Sequence, residues 1–195
     1  MPVNNRGPAR GRIIYLMGAS GVGKDSLIGY VLGRFPGEKN FVVTRRYVTR
    51  QGSGENSRYD LPVTTAEFQQ LEREGFFTMS WEGYGYRYGI GRRELENNLE
   101  NQFHCIINGS RRYYPLARQQ YPDLVSVLVR ADPGLRWLRL ETRRRDNPAE
   151  LATRLKNSDE SLGLTKETLS PDHILNNDGP LERAGEKLIT ILQQI

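Results

Sequence analysis

The nine residues from Gly18 to Ser26 carry the clearest chemistry in the chain, and they read Gly-Ala-Ser-Gly-Val-Gly-Lys-Asp-Ser. The run fits the pattern G-x-x-x-x-G-K, in which glycines let backbone N–H groups converge on phosphate oxygens and the lysine reaches the terminal phosphates. An apolar stretch precedes the run and a segment with helical spacing follows, so the order is strand, loop and helix. We therefore predict that a nucleotide binds Gly18, Ala19, Ser20, Gly21, Val22, Gly23, Lys24, Asp25 and Ser26, with Lys24 also catalytic.

Asp25 stands where this motif normally has a serine or threonine hydroxyl that binds Mg²⁺. A carboxylate beside a triphosphate is repelled unless a cation lies between them. Asp25 is therefore interpreted as a catalytic group and a Mg²⁺ ligand, directly or through water. The alternative is that Asp25 only interacts with the positive end of the helix dipole.

Arginine greatly outnumbers lysine among the 28 basic residues, and the net charge is +5. A planar guanidinium binds phosphate through two parallel hydrogen bonds, so the excess fits a site for a heavily phosphorylated small molecule. A compositional bias of the source genome gives the same count. The basic residues are scattered rather than blocked, so nucleic acid is not the expected partner.

Five short apolar runs are separated mostly by helical patterns, which predicts an α/β fold with a parallel five-stranded sheet and helices on both faces. The runs lie near 12–17, 41–43, 103–107, 124–129 and 173–175. Residues 1–11 are expected to form a flexible tail and 12–195 a single domain. With no apolar run long enough to span a membrane and no signal-peptide pattern, a cytoplasmic location is predicted. Cys105 lies in one of the apolar runs and is interpreted as a small buried residue.

A long insertion over residues 45–100 separates the second and third predicted strands. Thr64 and Glu67 are spaced to form a capping box at a helix start within it. Residues 79–91 then mix aromatic residues and glycines, a composition that lets hydroxyl groups and backbone approach a ligand. A twisted hairpin with aromatic cross-strand pairs explains the same pattern.

Arginines are concentrated over residues 139–145, after a helix that begins near Asp132 and Pro133. Like charges at a helix end repel one another, and a bound polyphosphate would relieve that repulsion. The segment 139–157 is therefore interpreted as an arginine-rich lid over the nucleotide, with a solvated helix junction as the alternative.

These motifs together resemble the guanylate-kinase-like branch of the nucleoside monophosphate kinases, which have a P-loop NTPase fold. Within that branch the chain is most similar to the ribose 1,5-bisphosphate phosphokinases. The segments that carry this resemblance are Gly18–Ser26, Arg46–Arg50, Ser80–Trp81, Tyr88–Gly91, Asn108–Arg111 and Leu175–Gly179. The resemblance covers nearly the whole chain after the tail. It implies ATP-dependent phosphorylation of ribose 1,5-bisphosphate to 5-phosphoribosyl 1-diphosphate, in phosphonate degradation.

The resemblance also implies roles for individual residues. Arg139 and Asn177 would bind ATP together with the phosphate loop, and Arg143 and Arg145 would stabilise the transition state. The acceptor would be bound by Arg46, Arg50, Glu55, Tyr88 and Arg111. It further implies Mg²⁺ as the cofactor and a small molecule as the partner, with no membrane contact, and it allows a homodimer.

Two positions differ from guanylate kinases in a way that bears on the acceptor. Ile90 replaces a hydroxyl residue and can neither donate a hydrogen bond to a purine nor accept one from it. Asn108 stands where guanylate kinases have an aspartate. We hypothesise that the carboxylate directed at the metal has moved from the strand to Asp25. The competing interpretations are a guanylate kinase, a kinase for another phosphorylated sugar, and an inactive module that binds proteins.

Overall fold

A computed structural model describes residues 10–34, 41–50, 59–142 and 169–195 of the chain. Five parallel strands form a central sheet, called here the core sheet, in the order β2-β7-β1-β8-β9. Their bounds are β1 Ile13–Met17, β2 Phe41–Val43, β7 His104–Asn108, β8 Val125–Arg130 and β9 His173–Asn176. The sheet confirms the fold class and all five predicted strands.

Helices cover both faces of the core sheet, because successive β1 side chains point to opposite sides. Ile13, Tyr15 and Met17 belong to one buried cluster, and Ile14 and Leu16 belong to the other. The helices are α1 Lys24–Arg34, α3 Arg92–Glu100, α4 Tyr114–Gln120, α5 Pro133–Thr142 and the last helix, α6 Leu181–Gln193. Among the described residues, no helix is both long and apolar enough to cross a membrane.

A second sheet, called here the acceptor sheet, is formed by the predicted insertion. Its strand order is β4-β3-β6-β5, with β3 parallel to β4 and the other pairs antiparallel. The strands are β3 Arg46–Val48, β4 Asp60–Pro62, β5 Phe77–Gly83 and β6 Tyr86–Gly91. Helix α2, Thr65–Arg73, begins with the predicted capping box between Thr64 and Glu67. Helix α3 also lies within the predicted insertion, but its Leu95 and Leu99 pack in a core-sheet cluster.

The aromatic and glycine-rich segment is a β5–β6 hairpin. Trp81 pairs with Tyr88 across the strands, and their rings stack with centroids 5.7 Å apart. The predicted tail has contacts with the domain at its last two residues: Arg10 pairs with Glu96, and Gly11 N donates to Leu99 O at 2.8 Å. Residues 1–9 lie outside the described part.

Cys105 is buried, and burial raises the pKa of its thiol to about 11. The group therefore stays protonated near neutral pH, in agreement with a packing role. His104 is also structural, since its Nδ1 accepts a hydrogen bond from Arg12 N at 3.2 Å.

Candidate active site

The phosphate loop follows β1 at the carboxyl edge of the core sheet and leads directly into α1. Gly21 and Gly23 have φ values of 83° and 90°, which side chains with a Cβ rarely adopt. The Lys24 ammonium group donates to Gly18 O at 2.8 Å and to Ala19 O at 3.1 Å. The lysine is thus held over the loop, where its charge is available to phosphates.

Two residues that are predicted to bind the nucleotide, Asn177 and Arg139, support the phosphate loop through hydrogen bonds. Asn177 follows β9 and donates from Nδ2 to Val22 O at 2.8 Å. Arg139, from α5, donates from Nη2 to Asn177 O at 3.0 Å. Asn177 Oδ1 and Arg139 Nη1 are buried without a hydrogen-bond partner among the described residues, as expected where a polar ligand binds.

Asp25 lies in the first turn of α1 and contacts the end of the neighbouring strand β7. Asn108 Nδ2 donates to Asp25 Oδ1 at 2.7 Å. The amide at the end of β7 therefore binds the Asp25 carboxylate directly. Asn108 Oδ1 is buried and accepts no hydrogen bond from the described residues.

Oxygen atoms of this kind suit Mg²⁺, which binds one or two carboxylates and otherwise phosphate oxygens and water. No group of three or more histidine, cysteine or acidic side chains that could hold a metal occurs in the described part of the chain. A site with Asp25 as the protein carboxylate needs no such group, so the residues present fit Mg²⁺ bound together with nucleotide phosphates.

Arg46 and Arg50 both form ion pairs with the carboxylate of Asp60, whose side chain is only 1% exposed. Arg46 Nε donates to Asp60 Oδ1 at 2.9 Å, and Arg50 Nη2 lies 3.7 Å from Asp60 Oδ2. Arg46 Nη1 also donates to Asn108 O at 3.0 Å. The acceptor sheet is therefore joined to the carboxyl end of β7, where Asn108 contacts Asp25.

Charge and burial oppose each other in this cluster. Burial raises the pKa of Asp60, and the attraction of Arg46 offsets this only in part. For Arg46, burial acts to lower the pKa, but the charges of Asp60 and Asp25 outweigh it and raise the pKa. Arg46 therefore stays cationic, and its pairing with Asp60 brings it and Arg50 to one place, an arrangement that suits a phosphate site.

Tyr88 and Ile90 are both buried residues of β6. The Arg46 guanidinium lies 5.4 Å from the centroid of the Tyr88 ring. Ile90 is fully buried in a core cluster, so this position contributes packing rather than contact with an acceptor.

Arg111 is held by the short loop after β7. Tyr15 is buried beneath this loop, and its hydroxyl donates to Ser110 O at 2.9 Å and accepts from Ser110 N at 3.0 Å. Gly109 leaves room for the ring, since a Cβ there would lie 2.1 Å from a Tyr15 ring atom. These contacts fix the backbone that carries Arg111, which is 5% exposed.

Comparisons with known proteins identify the family. The chain is 34% identical over 189 residues to the ribose 1,5-bisphosphate phosphokinase PhnN of Thiobacillus denitrificans, covering 94% of each protein. It is 38% identical over 186 residues to the protein of that name from Pseudomonas paraeruginosa, covering 93% of this chain and 95% of the relative. The chain belongs to the ribose 1,5-bisphosphate phosphokinase family. No family model matches the sequence.

The fold of this phosphokinase is shared with guanylate kinases. The crystal structure of guanylate kinase from Anaplasma phagocytophilum superimposes with a TM-score of 0.68 and 19% identity, over 96% of this chain and 87% of the other. At that identity the likeness shows the fold alone.

Three predicted site residues of the phosphokinase, Glu55, Arg143 and Arg145, lie outside the described residues. The others come together at the carboxyl edge of β1 and β7 or on the acceptor sheet facing it. Sequence reasoning missed Asp60, Tyr84 and Arg136. Asp60 gave one signal, a carboxylate in an otherwise apolar strand, and Tyr84 lies in the aromatic and glycine-rich segment. Arg136 gave none, because its partner Ser20 is distant in the sequence.

Proposed function

We propose that the protein transfers the γ-phosphoryl group of ATP to ribose 1,5-bisphosphate, giving ADP and 5-phosphoribosyl 1-diphosphate, as a step in phosphonate breakdown. One observation carries the proposal. Two partly buried arginines, Arg46 and Arg50, pair with Asp60, and Arg46 is connected through Asn108 to Asp25 at the phosphate loop. This arrangement directs cationic groups from the acceptor side at the place where the donor phosphates bind.

The reaction forms a bond between an oxygen of the acceptor's 1-phosphate and the γ-phosphorus. The bond from that phosphorus to the bridging oxygen of ATP breaks, and ADP leaves with the electron pair. A phosphate monoester is largely dianionic at neutral pH because its second pKa is about 6. No general base is needed, so the protein has to position two anions and neutralise their charge.

The residues divide this work. Lys24 exchanges its loop carbonyl partners for the terminal phosphates, and Asn108 orients Asp25 for the metal. Asp25 would hold Mg²⁺ together with the nucleotide, and the ion would supply positive charge that reduces the repulsion between phosphates. Arg46 and Arg50, with the Tyr88 hydroxyl, bind the reacting acceptor phosphate. Arg139 supports the phosphate loop through Asn177, and Arg143 and Arg145 belong to the proposed lid.

Ile90 supports a sugar phosphate over a nucleobase as the acceptor group. Its side chain is 0% exposed and packs in the core, so β6 presents no hydroxyl to a purine there.

Phosphorus NMR of the purified protein with Mg-ATP and ribose 1,5-bisphosphate tests the proposal directly. New diphosphate signals of the ribose compound should appear together with ADP. Lys24→Met should abolish them, whereas Arg93→Met, which removes an exposed cation on α3, should leave them unchanged. ADP formed only with GMP would identify a guanylate kinase, and no transfer to either compound would favour a protein-binding module.

A further inference from the structure

Tyr84 has an unusual backbone conformation at the tip of the β5–β6 hairpin. Its φ is 55° and that of Gly85 is 80°, so both residues of the two-residue turn are in the left-handed region. Asparagine or glycine normally occupies the first of these positions, and a bulky aromatic residue there is an outlier. The turn therefore holds Tyr84 in a backbone conformation that tyrosine rarely adopts.

The Tyr84 side chain reaches two buried arginines on the other side of the site. Its hydroxyl hydrogen-bonds Arg111 and interacts electrostatically with Arg136. Arg111 and Arg136 are 5% and 6% exposed. Burial lowers the pKa of both guanidinium groups, and repulsion from Arg136 lowers that of Arg111 further. Two buried cations this close are stabilised when an anion lies between them.

Arg136 is also attached to the phosphate loop. It lies in the first turn of α5, and its Nε donates to Ser20 O at 3.2 Å. Its carbonyl oxygen packs against Gly21, where a Cβ would lie 2.8 Å away. The three side chains therefore meet where the donor loop, the loop after β7 and the acceptor hairpin converge.

We propose that Arg111, Arg136 and Tyr84 form a second phosphate subsite, which binds the acceptor phosphate that does not react. The assignment rests on the proposed function and on the position of Asp25. Arg46 is linked to Asp25 through Asn108, which accepts from Arg46 at 3.0 Å and donates to Asp25 at 2.7 Å. The reacting phosphate, which would share Mg²⁺ with the donor, is therefore assigned to Arg46. A bisphosphate then occupies both subsites, whereas a monophosphate occupies one.

Calorimetric titration of ribose 1,5-bisphosphate into the full chain without ATP tests the subsite independently of catalysis. Arg136→Gln should weaken binding about tenfold to a hundredfold, because a charged hydrogen-bond donor is lost from a buried site. Tyr84→Phe, a change at a partly exposed turn that keeps the ring, should weaken it about threefold to tenfold. Arg112→Gln removes the same charge from the exposed neighbour of Arg111 and should have no effect. Ribose 5-phosphate should bind more weakly than the bisphosphate, and its affinity should fall less when Arg136 is changed to Gln.

Unchanged affinity in both Arg136→Gln and Tyr84→Phe would overturn the subsite, as would an equal loss of Mg-ATP affinity, which would assign the residues to the donor. Absence of bisphosphate binding by the unmodified protein would also overturn it. Bisphosphate binding that depends on Arg136, without phosphoryl transfer, would support the subsite and refute the proposed function.

Discussion

At the scale of single residues, the site depends on side chains whose partners come from distant parts of the chain. Asn108 illustrates this, because its side-chain amide donates to Asp25 at 2.7 Å and its backbone carbonyl oxygen accepts from Arg46 at 3.0 Å. One residue at the end of β7 therefore touches both the phosphate loop and the acceptor sheet.

Asn108→Ala should weaken the response to Mg²⁺, since Asp25 loses the donor that orients it. Removing such an orienting partner raises the Mg²⁺ concentration for half-maximal activity by about tenfold or more. Steady-state rates at a series of Mg²⁺ concentrations give this value. Asp123→Asn, at an exposed position, is the control, and an unchanged Mg²⁺ response in Asn108→Ala would contradict the role assigned to Asp25.

Asp60→Asn should lower the free energy of unfolding by about 3 kcal/mol, because the Arg46 guanidinium then remains buried without its main counter-ion. The matched control is Glu186→Gln, which removes the exposed ion pair with Arg34 and should cost at most about 1 kcal/mol. Urea unfolding of both variants measures the difference. Equal effects would show that Asp60 does not stabilise the arginine pair.

At the scale of elements, periodicity and local motifs predict most of the fold. The five core strands, α1 after the phosphate loop and the capping box of α2 all depend on neighbouring residues, and all are present. The partners of Arg46 and Arg50 were not predictable, since Asp60 reaches them only once β3 and β4 pair. Tyr84 and Arg136 were missed for the same reason.

The contact of α1 with α6 permits a paired glycine test. A Cβ at Gly185 would lie 2.1 Å from the Tyr30 ring, whereas one at Gly33 would meet nothing within 4 Å. Gly185→Ala should destabilise the protein by roughly 1–3 kcal/mol through overpacking. Gly33→Ala should stabilise it by about 0.5–1 kcal/mol through helix propensity. Thermal unfolding distinguishes the two, and shifts of the same sign would contradict the packing described.

The edge strand β9 is attached by an acid-sensitive contact. Asp172 accepts hydrogen bonds from Ser126 N and Ser126 Oγ, both at 2.8 Å, and pairs with Arg118. Burial acts to raise the pKa of Asp172, but these bonds outweigh it and hold the pKa below its usual value.

A depressed pKa contributes stability above the unfolded-state pKa, and the contribution is lost as the pH falls through the folded-state value. Asp172→Asn should therefore melt at a lower temperature than the unmodified protein near neutral pH. The difference should shrink once the pH falls below about 4. Melting curves over this range test it, and a gap that widens in acid would contradict the assignment.

At the scale of the whole molecule, the core sheet holds the phosphate loop, and the acceptor sheet carries partly buried arginines that pair with Asp60. Family membership and this arrangement point to the same small phosphorylated acceptor. The excess of arginine is consistent with that role at particular positions, since Arg46, Arg50, Arg111 and Arg136 line the site region while others, such as Arg112, are exposed.

Competition between two acceptors shows whether the protein prefers a sugar bisphosphate or a nucleotide. Purified protein receives Mg-ATP with equal concentrations of ribose 1,5-bisphosphate and GMP in one tube, and phosphorus NMR follows both products. We predict that kcat/KM for the bisphosphate exceeds that for GMP by at least about a hundredfold, because the site offers paired phosphate contacts and no hydroxyl at Ile90 for a base. Faster formation of GDP would show that the protein is a guanylate kinase.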